Sequence, residues 1–149
     1  MIKIQVINGP NLNMLGIREP NIYGTLTLEE LNAILARKGE ELNVSLDFFQ
    51  SNHEGDLIDK IQDCYGKTDG IVINPGAYTH YSIAIRDAIA AVGIPAVEVH
   101  LSDINSREDF RKISVIKSVC VKQIWGKGAA SYTEALEVLV NKIQEAQKM

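Results

Sequence analysis

The chain opens Met1-Ile2-Lys3-Ile4-Gln5-Val6-Ile7-Asn8. Lysine and glutamine alternate there with apolar side chains, the period of two that a strand requires. A secretory leader would show a basic start and then an uninterrupted apolar stretch. The segment therefore reads as the first strand of a fold, Ile2 to Asn8, in a cytoplasmic protein. Four further β-branched runs follow, at Val44 to Gln50, Gly70 to Asn74, Ala96 to His100 and Ser118 to Trp125. Between and after them apolar residues recur at helical spacing. Leu28, Leu31, Ile34, Leu35 and Leu42 mark the first such face, and Leu57, Ile58, Ile61 and Cys64 the second. Ile83, Ala84, Ala88 and Ile89 mark the third, and Tyr132, Ala135, Leu136, Leu139, Val140 and Ile143 the last. Thr27 with Glu30, and Ser131 with Glu134, have capping-box spacing and predict two helix starts. Ser106 predicts a short helix around Glu108 to Lys112.

Five strands alternating with helices imply a parallel sheet, because right-handed crossovers place helices on its two faces. The expected class is α/β, a flavodoxin-like doubly wound five-stranded parallel sheet with helices on both faces. A length of 149 residues predicts one domain, and no linker, repeat or low-complexity segment divides residues 1–149. Hydrophobic residues at 46% and charged residues at 23% exclude a disordered chain, a collagen-like fibre and a coiled coil. Fifteen basic against 19 acidic residues leave a net charge of -4 and no basic footprint, so no nucleic-acid partner is expected. No apolar run has the roughly 18 residues of a membrane span. Cys64 and Cys120 have no CxxC spacing and read as small buried hydrophobes in a reducing compartment.

Open α/β sheets bind ligands beyond the carboxyl ends of their strands. The first strand runs into Asn8-Gly9-Pro10-Asn11-Leu12-Asn13 and then a long loop through Arg18 and Tyr23. The second runs into Ser51-Asn52-His53-Glu54, and the third into Asn74-Pro75-Gly76-Ala77-Tyr78-Thr79-His80. The fourth delivers Glu98 and His100, followed by Ser102. All three histidines thus fall at one edge, which marks it as a candidate site. The loop from Gly9 to Leu26 far exceeds the usual 2–6 residues of a βα connection. It suits a lid hinged at Gly16 and Gly24, or a solvated Ω-loop.

Two pairs there carry chemistry. A tyrosine ionises near pH 10, so Tyr23 could act as a base at neutral pH only beside a cation such as Arg18. Its ring could equally pack beneath the loop, and spacing alone does not choose. Glu98 and His100, two apart on a strand, point to the same face, so the carboxylate can hold one imidazole nitrogen. That orients the ring for general-acid work, whereas a plain ion pair closing the strand end is the simpler alternative. Val97 and Val99 take the opposite face. No G-x-x-x-x-G-K-[ST], G-x-G-x-x-G or H-E-x-x-H occurs, and Gly126-Lys127-Gly128 alone is weak evidence for phosphate. Amides, histidines and arginines suit a small oxygen-rich anion better than a metal or nucleotide. A flavodoxin-like module for FMN is the competing reading, though it expects a Ser/Thr-rich loop after the first strand.

These motifs, with Arg18-Glu19-Pro20-Asn21-Ile22-Tyr23-Gly24, Gln50-Ser51-Asn52-His53-Glu54-Gly55 and Val97-Glu98-Val99-His100-Leu101-Ser102, resemble type II 3-dehydroquinate dehydratase. The resemblance covers nearly the whole chain, with fewer distinctive residues from Ile113 onward. It implies dehydration of 3-dehydroquinate to 3-dehydroshikimate, in the shikimate route to chorismate, through an enolate. Tyr23 then resembles the base, Arg18 the cation that keeps it ionised, His100 the acid and Glu98 its support. Asn11 would help hold the water that stabilises the enolate. Asn74, His80 and Arg111 would hold ring hydroxyls, and the backbone at Leu101 and Ser102 the carboxylate. Asp87 resembles an aspartate that reaches a neighbouring subunit's site. No cofactor, metal or Schiff-base lysine is implied, and family members assemble as homododecamers built from trimers.

Overall fold

The computed structural model describes residues 1–17, 21 and 24–148. Five strands, β1 (Lys3–Asn8), β2 (Ser45–Gln50), β3 (Gly70–Asn74), β4 (Ala96–Val99) and β5 (Lys122–Ile124), form one sheet in the order β2-β1-β3-β4-β5. Every pairing is parallel, and the register runs Asn8↔Gln50 and Asn8↔Asn74 at the carboxyl ends of β1, β2 and β3. Helices α1 (Leu28–Leu42), α2 (Glu54–Asp63), α3 (Ile83–Val92) and α4 (Ala129–Gln147) cover the two faces. This is the doubly wound, flavodoxin-like α/β arrangement that the strand–helix alternation predicts.

Alternation along the strands divides the core in two. Ile4, Val6, Val72, Val97 and Val99 pack against Leu31 and Leu35 of α1 and Tyr132, Leu136 and Leu139 of α4. Ile7, Ile71, Ile73 and Ala96 pack against Leu57 and Ile61 of α2 and Ile85 and Ile89 of α3. The central strands β3 and β4 are buried throughout, as parallel strands covered on both faces must be. The chain reverses its direction of travel across the sheet at β1, so the switch point lies between β1 and β3. The loops beyond those two strands interlock there. A Cβ on Gly9 would lie 2.4 Å from the Pro75 carbonyl oxygen, and one on Gly76 2.9 Å from that of Pro10. Gly76 also has φ 63°, which side chains disfavour.

Thr27 caps α1 as expected, its hydroxyl accepting from the Glu30 N–H while Glu30 accepts from the Thr27 N–H. The second expected start moves. Gly128, at φ 59°, is the N-cap of α4, which places Ser131 inside the first turn. The Ser131 hydroxyl accepts from the Lys127 N–H at 3.0 Å, and Glu134 pairs with the Lys127 ammonium rather than closing a box. The last strand is also shorter than expected. Residues Lys117–Val119 form a 3-10 turn, because only β4 is available to pair with this edge segment, and pairing starts at Val97↔Lys122. The expected short helix is a single 3-10 turn at Asp109–Arg111.

Candidate active site

Beyond the carboxyl ends of β3 and β4 lies a cavity lined by Asn74, His80, His100, Ser102, Arg107 and Arg111, with Leu12 and Leu101 among its apolar walls. The strands fix most of these positions. Asn74 closes β3, and His100 follows β4 directly, its N–H donating to the Ile124 carbonyl to extend the ladder by one residue. His80 ends the 3-10 turn Gly76–His80. Its Nδ1 lies 2.7 Å from the Ile113 carbonyl, which can only accept, so Nδ1 carries the hydrogen and Nε2 is the acceptor of the neutral ring. Burial pushes the His80 imidazole below its ordinary value, against the pull of that carbonyl.

The centre of the site is a carboxylate–imidazole pair removed from water. Glu98 is fully buried, with one oxygen 2.5 Å from His100 Nε2. The same oxygen accepts from Gln123 Nε2 at 3.0 Å, and the other accepts from the Ser114 hydroxyl at 2.8 Å. Burial alone would push the Glu98 carboxyl up, but the hydrogen bond and charge of His100, with the Gln123 and Ser114 donors, hold it below its usual range. An ionised Glu98 accepts only, so Nε2 of His100 is its donor. The opposite ring nitrogen, Nδ1, is then the one free of this bond.

Of the residues singled out from sequence, Asn74, His80, His100, Leu101, Ser102 and Arg111 are brought together here. Glu98 acts from behind His100. Arg111 has its Nε 2.6 Å from Glu108, which holds its guanidinium at the rim. Asn11 begins the 3-10 turn Leu12–Met14 in a left-handed conformation (φ 69°), and its N–H donates to Asn52. It is exposed and does not line the cavity. Asp87 is exposed on α3, also away from it. His53 sits at the N-cap position of α2, without a side-chain capping bond, instead of lining the cavity, so the three histidines divide. Arg18 and Tyr23 lie outside the described residues. Arg107 is the member that sequence reading passed over. Its side chain is only 11% exposed, lines the cavity and donates to Ser102 at 3.4 Å. Among the described residues no group of His, Cys, Asp and Glu is placed to hold a metal ion.

An amide, two arginines and a carboxylate-backed imidazole in one recess define a site for acid–base chemistry on a small oxygen-rich molecule. Comparison with known proteins agrees. The model of the class II dehydroquinase family matches residues 2–140, and the chain belongs to that family. It is 55% identical over 145 residues to the 3-dehydroquinate dehydratase of Halothermothrix orenii, covering 97% of this chain and 98% of that one. To the 3-dehydroquinate dehydratase of Caldicellulosiruptor bescii it is 58% identical over 140 residues, 93% of this chain and 97% of the other. The crystal structure of type II dehydroquinase from Butyrivibrio crossotus superposes with a TM-score of 0.91 at 56% identity, over 93% of this chain and 97% of that one.

Proposed function

We propose that this protein is a 3-dehydroquinate dehydratase that works by proton removal and proton delivery, as one catalytic domain. The observation that carries the reading is the buried Glu98–His100 pair opening onto a cavity that also holds Asn74, His80, Arg107 and Arg111. Tyr23, as phenolate beside Arg18, takes the proton from the carbon next to the ketone. The electron pair moves onto the ketone oxygen, and the enolate is steadied by a water held by Asn11. When the carbonyl re-forms, the pair makes the new carbon–carbon double bond and expels the hydroxyl. His100 Nδ1 donates a proton to that hydroxyl, which leaves as water. The ketone itself acidifies the proton removed, so this route uses no cofactor, metal or Schiff base.

Asn74, His80 and Arg111 hold the ring hydroxyls, and the backbone at Leu101 and Ser102 holds the substrate carboxylate, with Arg107 alongside. Asp87 serves the site of a neighbouring subunit in a homododecamer built from trimers. The enzyme is cytoplasmic, binds neither nucleic acid nor membrane, and belongs to the shikimate route. The decisive test is ultraviolet absorbance after mixing the pure protein with 3-dehydroquinate. The conjugated enone product absorbs where the substrate does not, and a flat trace overturns the reading. Borohydride added with substrate leaves activity intact in this scheme, whereas irreversible loss would point to a lysine Schiff base.

A further inference from the structure

The amide of Asn74 is gripped from behind the cavity by a buried phenol. Tyr132, on α4, is fully buried, and its oxygen lies 3.0 Å from Asn74 Nδ2 and 2.5 Å from Asn8 Oδ1. Asn8 and Asn74 are register partners at the carboxyl ends of β1 and β3, so the phenol spans the switch point. The direction of this chain of bonds is fixed by the backbone. The Gly76 N–H can only donate, and it lies 3.1 Å from one end of the Asn74 amide, so that end is Oδ1. The Nδ2 end then faces Tyr132, whose oxygen must accept from it. The single phenolic hydrogen goes to Asn8. Burial pushes the Tyr132 phenol far above its ordinary value, so that hydrogen stays in place across the neutral range.

We infer that Tyr132 is a positioning residue for the site: together with the Gly76 N–H it holds the end of the Asn74 amide that meets the ligand. An amide offers two hydrogens and two acceptor positions. Gly76 and Tyr132 occupy one of each, leaving one N–H and one lone pair for the ligand. Without the phenolic oxygen the Gly76 N–H alone holds the amide, Nδ2 loses its buried acceptor, and the orientation that presents one donor and one acceptor to the ligand is held more loosely. The inference rests on the proposed dehydratase reading, in which Asn74 binds substrate, and adds a residue beyond the cavity wall.

The test is a double-mutant cycle on kcat/KM for 3-dehydroquinate, using Tyr132→Phe, Asn74→Ala and the pair. Tyr132→Phe keeps the ring and removes only the hydroxyl. We expect it to lower kcat/KM about tenfold, mainly through KM, in the otherwise native enzyme. In the Asn74→Ala background the same change should alter kcat/KM by less than about twofold, because the group it acts through is gone. An equal tenfold loss in both backgrounds would mean that Tyr132 acts through packing, and would overturn the inference, as would a single variant with native kinetics. If Tyr132→Phe does not fold, Asn8→Ala, which keeps the phenol and removes its acceptor, is carried through the same cycle with the same two outcomes. Absence of turnover in the unaltered protein would instead overturn the dehydratase reading, and this inference with it.

Discussion

Nε2 of His100 lies 2.5 Å from Oε2 of Glu98, two residues earlier on the same side of the β4 ladder. The carboxylate has no contact with water and answers three donors, from His100, Gln123 and Ser114. A neutral isostere is therefore poorly suited to its place. Glu98→Gln would bring a second amide N–H₂ against donors that need acceptors, at a cost of about 1–3 kcal/mol of stability. It would also lower kcat by roughly 10²-fold, by misplacing the imidazole and removing the charge that supports it. Chemical denaturation and steady-state kinetics read the two effects separately.

The pH dependence of stability follows from the same carboxyl. Its pKa is below the ordinary 4.5 in the folded protein, so the unfolded chain binds the proton more readily. The stability this lends is fully present above about pH 4.5 and is lost as pH falls through the lower folded value. The difference in melting temperature between the native protein and Glu98→Gln should therefore shrink on acidification below pH 4.5. A difference that stays constant down to pH 3 would contradict it.

His80 gives a second titration. Burial holds its imidazole below the ordinary 6.5, so the folded state resists protonation more than the unfolded chain does. Its contribution to stability is present above pH 6.5 and is lost as pH falls through the lower folded value. Ring-proton NMR should show the His80 resonance titrating below 6.5, with that ring neutral at pH 7. Removing the carbonyl contact is not needed for the test, since His80→Asn identifies the resonance.

Gly9 and Gly55 should respond oppositely to alanine. A Cβ on Gly9 meets the Pro75 carbonyl at 2.4 Å, and backbone on both sides leaves little room to yield. We expect Gly9→Ala to cost about 1–3 kcal/mol or more, seen as a lowered denaturation midpoint. A Cβ on Gly55, in the first turn of α2, meets nothing within 4 Å. Gly55→Ala should be neutral or stabilise by about 0.5–1 kcal/mol.

Tyr23→Phe tests the proposed base directly. It should abolish turnover, while titration with substrate followed by calorimetry still shows binding. A variant that turns over at near the native rate would remove Tyr23 from that role.

Sequence reading went furthest where one local rule governs. The apolar runs of β1, β3 and β4 are buried on both faces, and their pattern decides them without help from elsewhere. The same holds for Glu98 and His100, whose pairing needs only the two-residue repeat of a strand. Reading failed where the deciding partner is distant. Ser131 has capping-box spacing, yet the left-handed Gly128 starts α4 earlier and draws Ser131 to the Lys127 N–H. Residues Lys117–Val119 have strand-like composition, but edge pairing begins only at Lys122. Arg107 is not singled out, because nothing local says that its turn folds over the cavity. Tyr132 read as one more core residue, since its polar partners lie 124 and 58 positions away in sequence.

The reciprocal seating of Gly9 on Pro75 and Gly76 on Pro10 has a consequence for how this protein can change. Two stretches of chain separated by more than sixty residues share one geometric constraint, so neither can drift alone. A larger side chain at either glycine disturbs the far loop as much as its own, and with it Asn8, Asn74 and everything aligned on them. The floor of the site is thus constrained as a unit, with Asn8 and Asn74 aligned across it.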